Sequence, residues 1–180
     1  RPASGKKFEE LKALANVIYS HYRDEDEPAI RYCVLKMAAK IATEGGDPYL
    51  TEITIDDLSM HFEVDDLSLH QTAVDLWAEQ VTENYRGDEL RGKQLQLVNL
   101  IVPLAERAES EHRFHMAKDL YRLASKQVKG NRSESLLKLS RTLRNKGNYH
   151  DKMMELAETL ETEGVIPADE DITEKHLKLG

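Results

Sequence analysis

Phe114-His115-Met116-Ala117-Lys118 is the stretch that decides the fold, because comparable stretches begin three other segments with helical periodicity. The other three span residues 26–30, 70–74 and 149–153. Ala29, Ala73 and Ala117 occupy matching places in three of them, at an even spacing of about 44 residues. Self-similarity at such periods is typical of stacked helical pairs, since one repeat cannot bury its apolar face alone. The sequence therefore predicts an all-α fold, a right-handed α-α superhelix of about four antiparallel helix pairs.

Apolar residues at three- and four-residue steps predict eight helices. Seven of the predicted helices span residues 6–22, 28–44, 55–62, about 95–110, 114–128, 133–146 and 149–163. The fourth is expected to follow Asp65 or Asp66 and to carry Leu69, Ala73, Leu76, Trp77 and Val81. Pro28 suits the first turn of its helix, and Thr54 is expected to cap the third helix. Gly87 and Gly92 are expected to flank a turn, and Pro103 to kink or break the fifth helix. A Gly-Asn pair at 147–148 is expected to form the turn between the last two helices.

Composition limits the classes of protein to which the chain belongs. The 180 residues are 40% hydrophobic and 32% charged, which favours a folded protein, and the net charge of −8 disfavours general nucleic-acid binding. A single Cys excludes an internal disulfide and a Cys-rich zinc site, and it favours a reducing compartment. No apolar run is long enough to span a bilayer. We therefore expect an intracellular protein, cytoplasmic or nuclear, with no membrane partner.

The expected organisation is a single helical-repeat domain over residues 6–163. Residues 1–5 are expected to be a disordered end or an expression remnant, and the chain itself a fragment of a longer protein. Residues 164–180 are expected to form an acidic tail with a possible capping turn.

Two stretches in the second half of the chain share a pattern of small, aromatic and apolar residues, offset by about 35 residues. The later stretch contains Leu139-Ser140, Leu143, Gly147-Asn148-Tyr149, Leu156 and Leu160, and the earlier one Leu104-Ala105, Ala108, Phe114, Ala117, Tyr121 and Ala124. This pattern resembles a tetratricopeptide repeat, which implies a helix, a tight turn and a second helix. Two positions depart from the family pattern, His112 in place of a turn glycine and Lys152 in place of a small residue.

The N-terminal helix pair carries a second resemblance. An acidic turn over residues 24–27 precedes Pro28, and Arg31, Leu35, Ala38 and Ile41 follow it. This arrangement is similar to a HEAT repeat. Both resemblances imply a curved stack of helix pairs that serves as a scaffold or as a peptide-binding groove, and which family describes the whole chain stays open at this point.

Residues 126–152 form a basic segment within an acidic chain, with eight Lys or Arg and two acidic residues. Leu136, Leu139 and Leu143 make the apolar stripe of the predicted seventh helix, so Lys138, Arg141 and Arg144 lie away from that stripe. The tetratricopeptide resemblance implies that Leu137, Arg141, Arg144 and Asn145 line a concave groove. Guanidinium groups bind carboxylates through two parallel hydrogen bonds, so an acidic or C-terminal peptide is the expected partner.

Two alternatives compete with a peptide site in the basic segment. A solvated helix face would neutralise the chain's own acids, for instance Glu106 and Glu109 on the neighbouring helix. A nucleic-acid-associated subunit of a larger complex would use the same face on phosphates. Protein binding remains the favoured function, with a non-enzymatic scaffold or adaptor as its form.

Other candidate sites are better explained by packing. The pattern of residues 54–77 is similar to a DNA-binding helix-turn-helix motif. The helix expected to enter the DNA groove carries no basic residue but four acidic ones, Asp65, Asp66, Asp75 and Glu79. His112 and His115 are expected to be a surface pair without a metal, since structural sites usually need four ligands. Cys33 is expected to be buried and inert, and Trp77, Met60 and Phe62 to be core residues. No motif suggests a cofactor or a catalytic residue, and a buried cluster of His and carboxylates would be the mark of an enzyme.

Overall fold

The computed structural model describes residues 3–129 and 134–162, and every helix prediction is compared with these residues. They form α1 (Ala3–His21), a single 3-10 turn (Tyr22–Asp24), α2 (Pro28–Glu44), α3 (Pro48–His61), α4 (Asp66–Asn84), α5 (Gly87–Ser110), α6 (Phe114–Val128) and α7 (Glu134–Thr162). No strand occurs in these two ranges, so the all-α fold class is confirmed. The predicted acidic tail, 164–180, lies outside the described residues, as do residues 1 and 2 of the predicted disordered end.

The chain divides into two compact units, Arg1–Lys93 and Gln94–Gly180. A single helical-repeat domain over residues 6–163 stays a prediction. Consecutive helices pack on each other within each unit. In the first unit the pairs are α1–α2, α2–α3 and α3–α4, and in the second unit α6 packs along α7. This pairing of neighbours is compatible with a helical repeat.

Helices α2, α4 and α6 follow the sequence prediction closely. Pro28 occupies the first position of α2, where its missing N–H would have no partner in any case. The carboxylate of Asp65 accepts a hydrogen bond from the backbone N–H of Ser68 at 3.1 Å, so Asp65 is the N-cap of α4. Local capping chemistry therefore placed the start of α2 and placed the start of α4 to within one residue.

The prediction for α3 was wrong at its N-terminus. The helix begins at Pro48, about two turns earlier than predicted, and the side chain of Asp47 caps it by accepting a hydrogen bond from Leu50 N at 3.1 Å. Thr54 is not a cap but a buried residue inside the helix, and its hydroxyl donates to the carbonyl oxygen of Leu50 at 2.8 Å.

The prediction for α5 was wrong at its N-terminus, and of the two alternatives for Pro103 the break is excluded whereas the kink stays a prediction. The helix begins at Gly87, whose φ of 59° is in the left-handed region, and Gly92 lies within the helix instead of flanking a turn. The helix also continues through Pro103 without a break. A proline removes one backbone donor, and the flanking hydrogen bonds of a long helix can compensate for that loss.

The core of the first unit consists of small and aliphatic residues with aromatic side chains at its edge. One cluster contains Tyr22, Leu35, Ala39, Ile55 and Leu58, and another contains Ala15, Ala42 and Leu50. Trp77 is buried as predicted, and its indole N–H donates to the carbonyl oxygen of Thr43 at 2.9 Å.

Three side chains of the first unit that were expected to be buried are half-buried or exposed. Phe62 is half-buried and packs against the Tyr22–Leu58 cluster. Met60, expected in the core, is 79% exposed near the end of α3. Cys33 is exposed as well, because it lies on the side of α2 opposite to Leu35, so the prediction of a buried thiol was wrong.

The largest correction concerns the second unit. The two helices predicted over residues 133–163 are one continuous helix of 29 residues, α7, and no turn forms at Gly147 and Asn148. Gly147 is buried, and a Cβ atom at this position would lie 3.2 Å from Cγ of Arg122 and 3.5 Å from the carbonyl oxygen of Lys118. The glycine therefore permits close approach of α6 and α7, and the helix-turn-helix implied by the tetratricopeptide resemblance is absent at this point.

Candidate functional site

The predicted partner-binding residues lie together on one side of α7. Leu137, Lys138, Arg141, Arg144 and Asn145 are all exposed. The opposite side of the helix carries the buried residues Ser140, Leu143 and His150, which matches the predicted direction of the stripe. Leu139 is half-buried, and the side chain of Leu136 lies outside the described part of the structure. We refer to these five exposed residues as the basic face.

Arg141 and Arg144 are the centre of the basic face. They are three residues apart, so their side chains are neighbours on the helix surface. Within residues 3–129 and 134–162, neither guanidinium forms an ion pair or a hydrogen bond. Leu137, one turn before Arg141, is 41% exposed and adds an apolar contact surface. Two guanidinium groups beside an exposed leucine can bind carboxylates and cover an apolar side chain at once.

Other basic residues near this face are neutralised by the protein itself. Asp151 on α7 accepts a hydrogen bond from Arg122 at 2.7 Å, and Lys118 Nζ lies 3.6 Å from the same carboxylate. Lys146 Nζ lies 3.9 Å from Glu106 and 3.4 Å from Glu109. Internal neutralisation therefore applies to Lys146, whereas Arg141 and Arg144 are exposed and have no ion pair within the described residues, and a merely solvated face stays open for them.

A second cluster of polar side chains connects α5, α6 and α7, and sequence reasoning missed it. The hydroxyl of Tyr121 donates to Oε2 of Glu109 at 2.7 Å, and Lys146 Nζ donates to the same hydroxyl at 2.9 Å. His150 lies beside them, with Nε2 3.5 Å from Oε1 of Glu109. We call Glu109, Tyr121, Lys146 and His150 the buried polar cluster, in which Tyr121 and His150 are buried and Glu109 and Lys146 are half-buried.

The rings of the buried polar cluster are stacked. The planes of Tyr121 and His150 are within 3° of parallel, with centroids 6.0 Å apart. Phe114 lies on His150 at a centroid distance of 5.5 Å, and the ammonium group of Lys146 lies 4.7 Å from the centroid of the Tyr121 ring. Such contacts supply dispersion and cation–π attraction, so they hold α6 and α7 together.

The ionisable groups of the cluster shift one another's pKa values. Burial and the carboxylate of Glu109 raise the pKa of Tyr121 to about 12, although the hydrogen bond from Lys146 acts in the opposite direction. Burial tends to raise the pKa of Glu109, but the hydrogen bond from Tyr121 and the charge of Lys146 prevail and lower it. The contact with Tyr121 raises the pKa of Lys146, and burial lowers the pKa of His150. At neutral pH the cluster thus contains an anionic Glu109, a cationic Lys146 and a neutral His150.

A buried cluster of His and carboxylate is the feature that would mark an enzyme, so its chemistry matters. Tyr121 and His150 are 0% and 1% exposed, so neither can reach a reactant in solution. Lys146 is held in its protonated form, which is not nucleophilic. The arrangement instead neutralises charge and joins three helices.

One sequence signal could have located His150. Leu143, Gly147 and His150 follow each other at four- and three-residue steps, which continues the apolar stripe of α7 beyond Leu143. The assumption of a turn at Gly147 concealed this continuity. The contacts to Glu109 and Tyr121 had no such signal, since they join residues on separate helices.

The remaining sequence candidates do not form sites in the described residues. No group of three or more His, Cys, Asp or Glu side chains there is arranged to hold a metal ion. His115 is exposed, and His112 lies in the turn before α6 with a ring contact to Phe114. In the segment that scans like a helix-turn-helix, α3 and α4 pack on each other and Asp65 is occupied in capping.

Comparison with known proteins gave no relative: no family model, curated protein or solved structure matches the chain. Among the described helices, none has the length and apolar character required to cross a bilayer.

Proposed function

We propose that this protein is a non-enzymatic, intracellular scaffold or adaptor whose basic face binds an acidic or C-terminal peptide segment of another protein. The helical-repeat character of the fold, in the tetratricopeptide or HEAT manner, suits this role, because stacked helices present long surfaces to extended partners. Leu137, Lys138, Arg141, Arg144 and Asn145 are the residues assigned to the contact.

The observation that carries the proposal is the contrast between Arg144 and Lys146, two residues apart on α7. Lys146 contacts Glu106, Glu109 and Tyr121, whereas Arg144 is exposed and, within the described residues, has no ion pair. Two adjacent unpaired guanidinium groups in a chain of net charge −8 are available to an external carboxylate.

A nucleic-acid-associated role is the second candidate, since phosphates would also pair with Arg141 and Arg144. The overall charge of the chain acts against it, because most of the surface would repel a phosphate backbone. The two roles differ in salt dependence. Backbone binding loses several orders of magnitude of affinity between about 50 and 200 mM salt when many phosphates are contacted.

The test is a binding titration followed by fluorescence anisotropy. The probes are a labelled peptide of alternating acidic and small apolar residues with a free terminal carboxylate, its amidated form, and a short labelled duplex. Arg141→Glu combined with Arg144→Glu should weaken binding of the acidic peptide about tenfold or more, because charge-assisted hydrogen bonds are replaced by repulsion. The melting temperature should stay nearly constant, because both side chains are exposed.

The matched control is Lys7→Glu combined with Lys40→Glu, which changes the net charge equally at two exposed positions of the first unit. This variant should retain wild-type affinity for the peptide. Unchanged binding by the Arg141/Arg144 variant, or an equal loss in the control, would contradict the proposal. Tight, steeply salt-dependent binding of the duplex with no peptide binding would favour the nucleic-acid role.

A further inference from the structure

The surroundings of His150 are unusual for a titratable side chain. Its ring is 1% exposed and lies between the rings of Phe114 and Tyr121. Neither ring nitrogen has a hydrogen-bond partner among the described residues, since the 3.5 Å approach of Nε2 to Glu109 lacks hydrogen-bond geometry. Buried polar atoms are nearly always bonded, so this exception asks for an explanation.

The titratable groups that face His150 come from every helix around it. From α5 the neighbour is the carboxylate of Glu109, from α6 the hydroxyl of Tyr121, and from α7 the ammonium of Lys146. The adjacent carboxylate of Asp151 is paired with Lys118 and Arg122. The ring of Tyr149 on α7 also contacts His150, with ring centroids 5.4 Å apart. Near neutral pH Glu109 is anionic, Lys146 cationic and Tyr121 neutral, so His150 is the member of the cluster whose charge can change there.

A proton on His150 would create a cation with two donors in a site that offers one acceptor. Oε2 of Glu109 already accepts hydrogen bonds from Tyr121 and Lys146, so Oε1, 3.5 Å from Nε2, is left for one of the two donors. Nδ1 would have no partner without movement of α7, and the new charge would lie close to the ammonium of Lys146. A buried cation that leaves a donor unbonded is more unfavourable than a neutral ring with unbonded nitrogens in an aromatic stack.

We propose that His150 makes the attachment of α7 acid-sensitive: the neutral ring holds α7 against α6, and proton uptake loosens that contact. The device is built into the fold and is independent of what the basic face binds. Acid would act on the helix that carries Arg141 and Arg144, through a residue on its opposite side.

The direction of the pH effect follows from the pKa of His150, which burial, with the help of the Lys146 charge, holds below its ordinary value of 6.5 although the carboxylate of Glu109 acts in the opposite direction. When the folded pKa is the lower one, the unfolded chain binds the proton first. The stability contributed by His150 is therefore complete above about pH 6.5 and is lost as the pH falls from there through the folded pKa. Full linkage to one proton raises the unfolding constant about tenfold per pH unit.

The test compares urea unfolding of the full chain at about pH 7.5 and pH 5.5 for the wild type and for His150→Phe, which keeps an aromatic ring in the stack. The wild-type unfolding constant should rise by up to about tenfold more than that of the variant over the acid interval. Hydrogen exchange of peptides from α7, corrected for intrinsic rates, should show a matching loss of protection in the wild type alone. His115→Phe is the control, since His115 is exposed on α6, and it should behave as the wild type does.

The same pH dependence in His150→Phe and in the wild type would overturn the proposal. So would a wild-type protein that becomes more stable on acidification, since this would mean that His150 gains from pairing with Glu109. If His150→Phe does not fold, NMR titration of the assigned His150 ring in the wild type decides the matter. A midpoint below 6.5 is expected, and a midpoint at or above 6.5 contradicts the proposal.

Discussion

The buried threonines of the first unit and the buried Tyr121 of the second unit make different kinds of hydrogen bond. In the first unit, the hydroxyls of Thr43, Thr51 and Thr54 donate to backbone carbonyl oxygens in the preceding turn, at 2.7–2.8 Å. In the second unit, the hydroxyl of Tyr121 joins a carboxylate from α5 to an ammonium from α7. Neutral bonds within a helix are insensitive to pH, whereas bonds between charged groups on separate helices depend on pH and salt. We therefore expect pH and salt to act on the bonds of Tyr121 and to leave those of the buried threonines unchanged.

The largest effect should come from breaking the α6–α7 contact that brings the charged groups together. In Gly147→Leu the added carbons must displace Arg122, whose Cγ would lie 3.2 Å from a Cβ atom, and the backbone of Lys118. Overpacking of this kind should lower the free energy of unfolding by about 3 kcal/mol, measured by urea denaturation.

Gly92→Ala is the control for Gly147→Leu. Gly92 also lies inside a helix, but nothing is within 4 Å of its missing Cβ, so alanine there should stabilise the protein by about 1 kcal/mol. A stabilising effect of leucine at position 147 would show that α6 and α7 do not pack closely at that point.

A smaller effect on the free energy of unfolding should distinguish the hydroxyl of Tyr121 from the threonine hydroxyls of the first unit. Tyr121→Phe removes the hydroxyl between Glu109 and Lys146 and should cost about 1.5 kcal/mol at neutral pH, as hydrogen bonds to charged groups do. The pKa of Glu109 should rise towards its ordinary value of 4.5, because the hydrogen bond from Tyr121 helps to lower it. A depressed pKa gives stability that is present above pH 4.5 and lost as the pH falls through the folded value, so the variant should lose less stability in that acid range.

Thr54→Val is the counterpart in the first unit, because it also removes one fully buried hydroxyl. It should cost about 1 kcal/mol or less, and its urea-denaturation curves should show the wild-type dependence on pH. Tyr121→Phe alone should change how the free energy of unfolding falls at acid pH. If both variants change it, or neither does, the proposed difference between the two kinds of hydrogen bond is wrong.

The smallest effect concerns a turn that both units share. Asp47 N donates to Ala42 O at 3.0 Å after α2, and Arg113 N donates to Ala108 O at 2.8 Å after α5, which are equivalent closures of a helix C-terminus. The left-handed position is Gly46, with φ 65°, in one turn and His112, with φ 59°, in the other.

Exchanging the residue types at this turn should have opposite effects in the two units. His112→Gly should raise the free energy of unfolding by about 0.5–1 kcal/mol, and Gly46→Ala should lower it by about 1 kcal/mol, both measured by thermal denaturation at neutral pH. A destabilised His112→Gly would mean that the ring contact between His112 and Phe114 outweighs the backbone strain.

The success of sequence reasoning depended on how local each determinant was. The starts of α2 and α4 follow from Pro28 and Asp65, which act within one turn of themselves. Gly147 has two possible roles, a turn or a close helix contact, and only the position of Arg122 in space distinguishes them. Sequence reasoning chose the turn, and the error divided α7 into two helices.

The candidate site follows the same rule. The direction of the basic face came from helical periodicity and was predicted correctly, as the exposure of Arg141 and Arg144 confirms. From the sequence, Glu109 was named only as an acid on the neighbouring helix that the basic segment could neutralise, and Lys146 was not assigned to it. The hydrogen bonds of Tyr121 were not anticipated. Bonds between helices depend on rotations and offsets of α5, α6 and α7 that no single stretch of sequence encodes.

The length of α7 has a mechanical consequence. At about 1.5 Å per residue, its 29 residues extend for about 43 Å, whereas the 15 residues of α6 extend for about 22 Å. Tyr149 and Leu156, in the second half of α7, are more than half exposed. A helical segment with little tertiary support is marginal in water, so the second half of α7 should fray back to about Asp151, which α6 holds through Lys118 and Arg122.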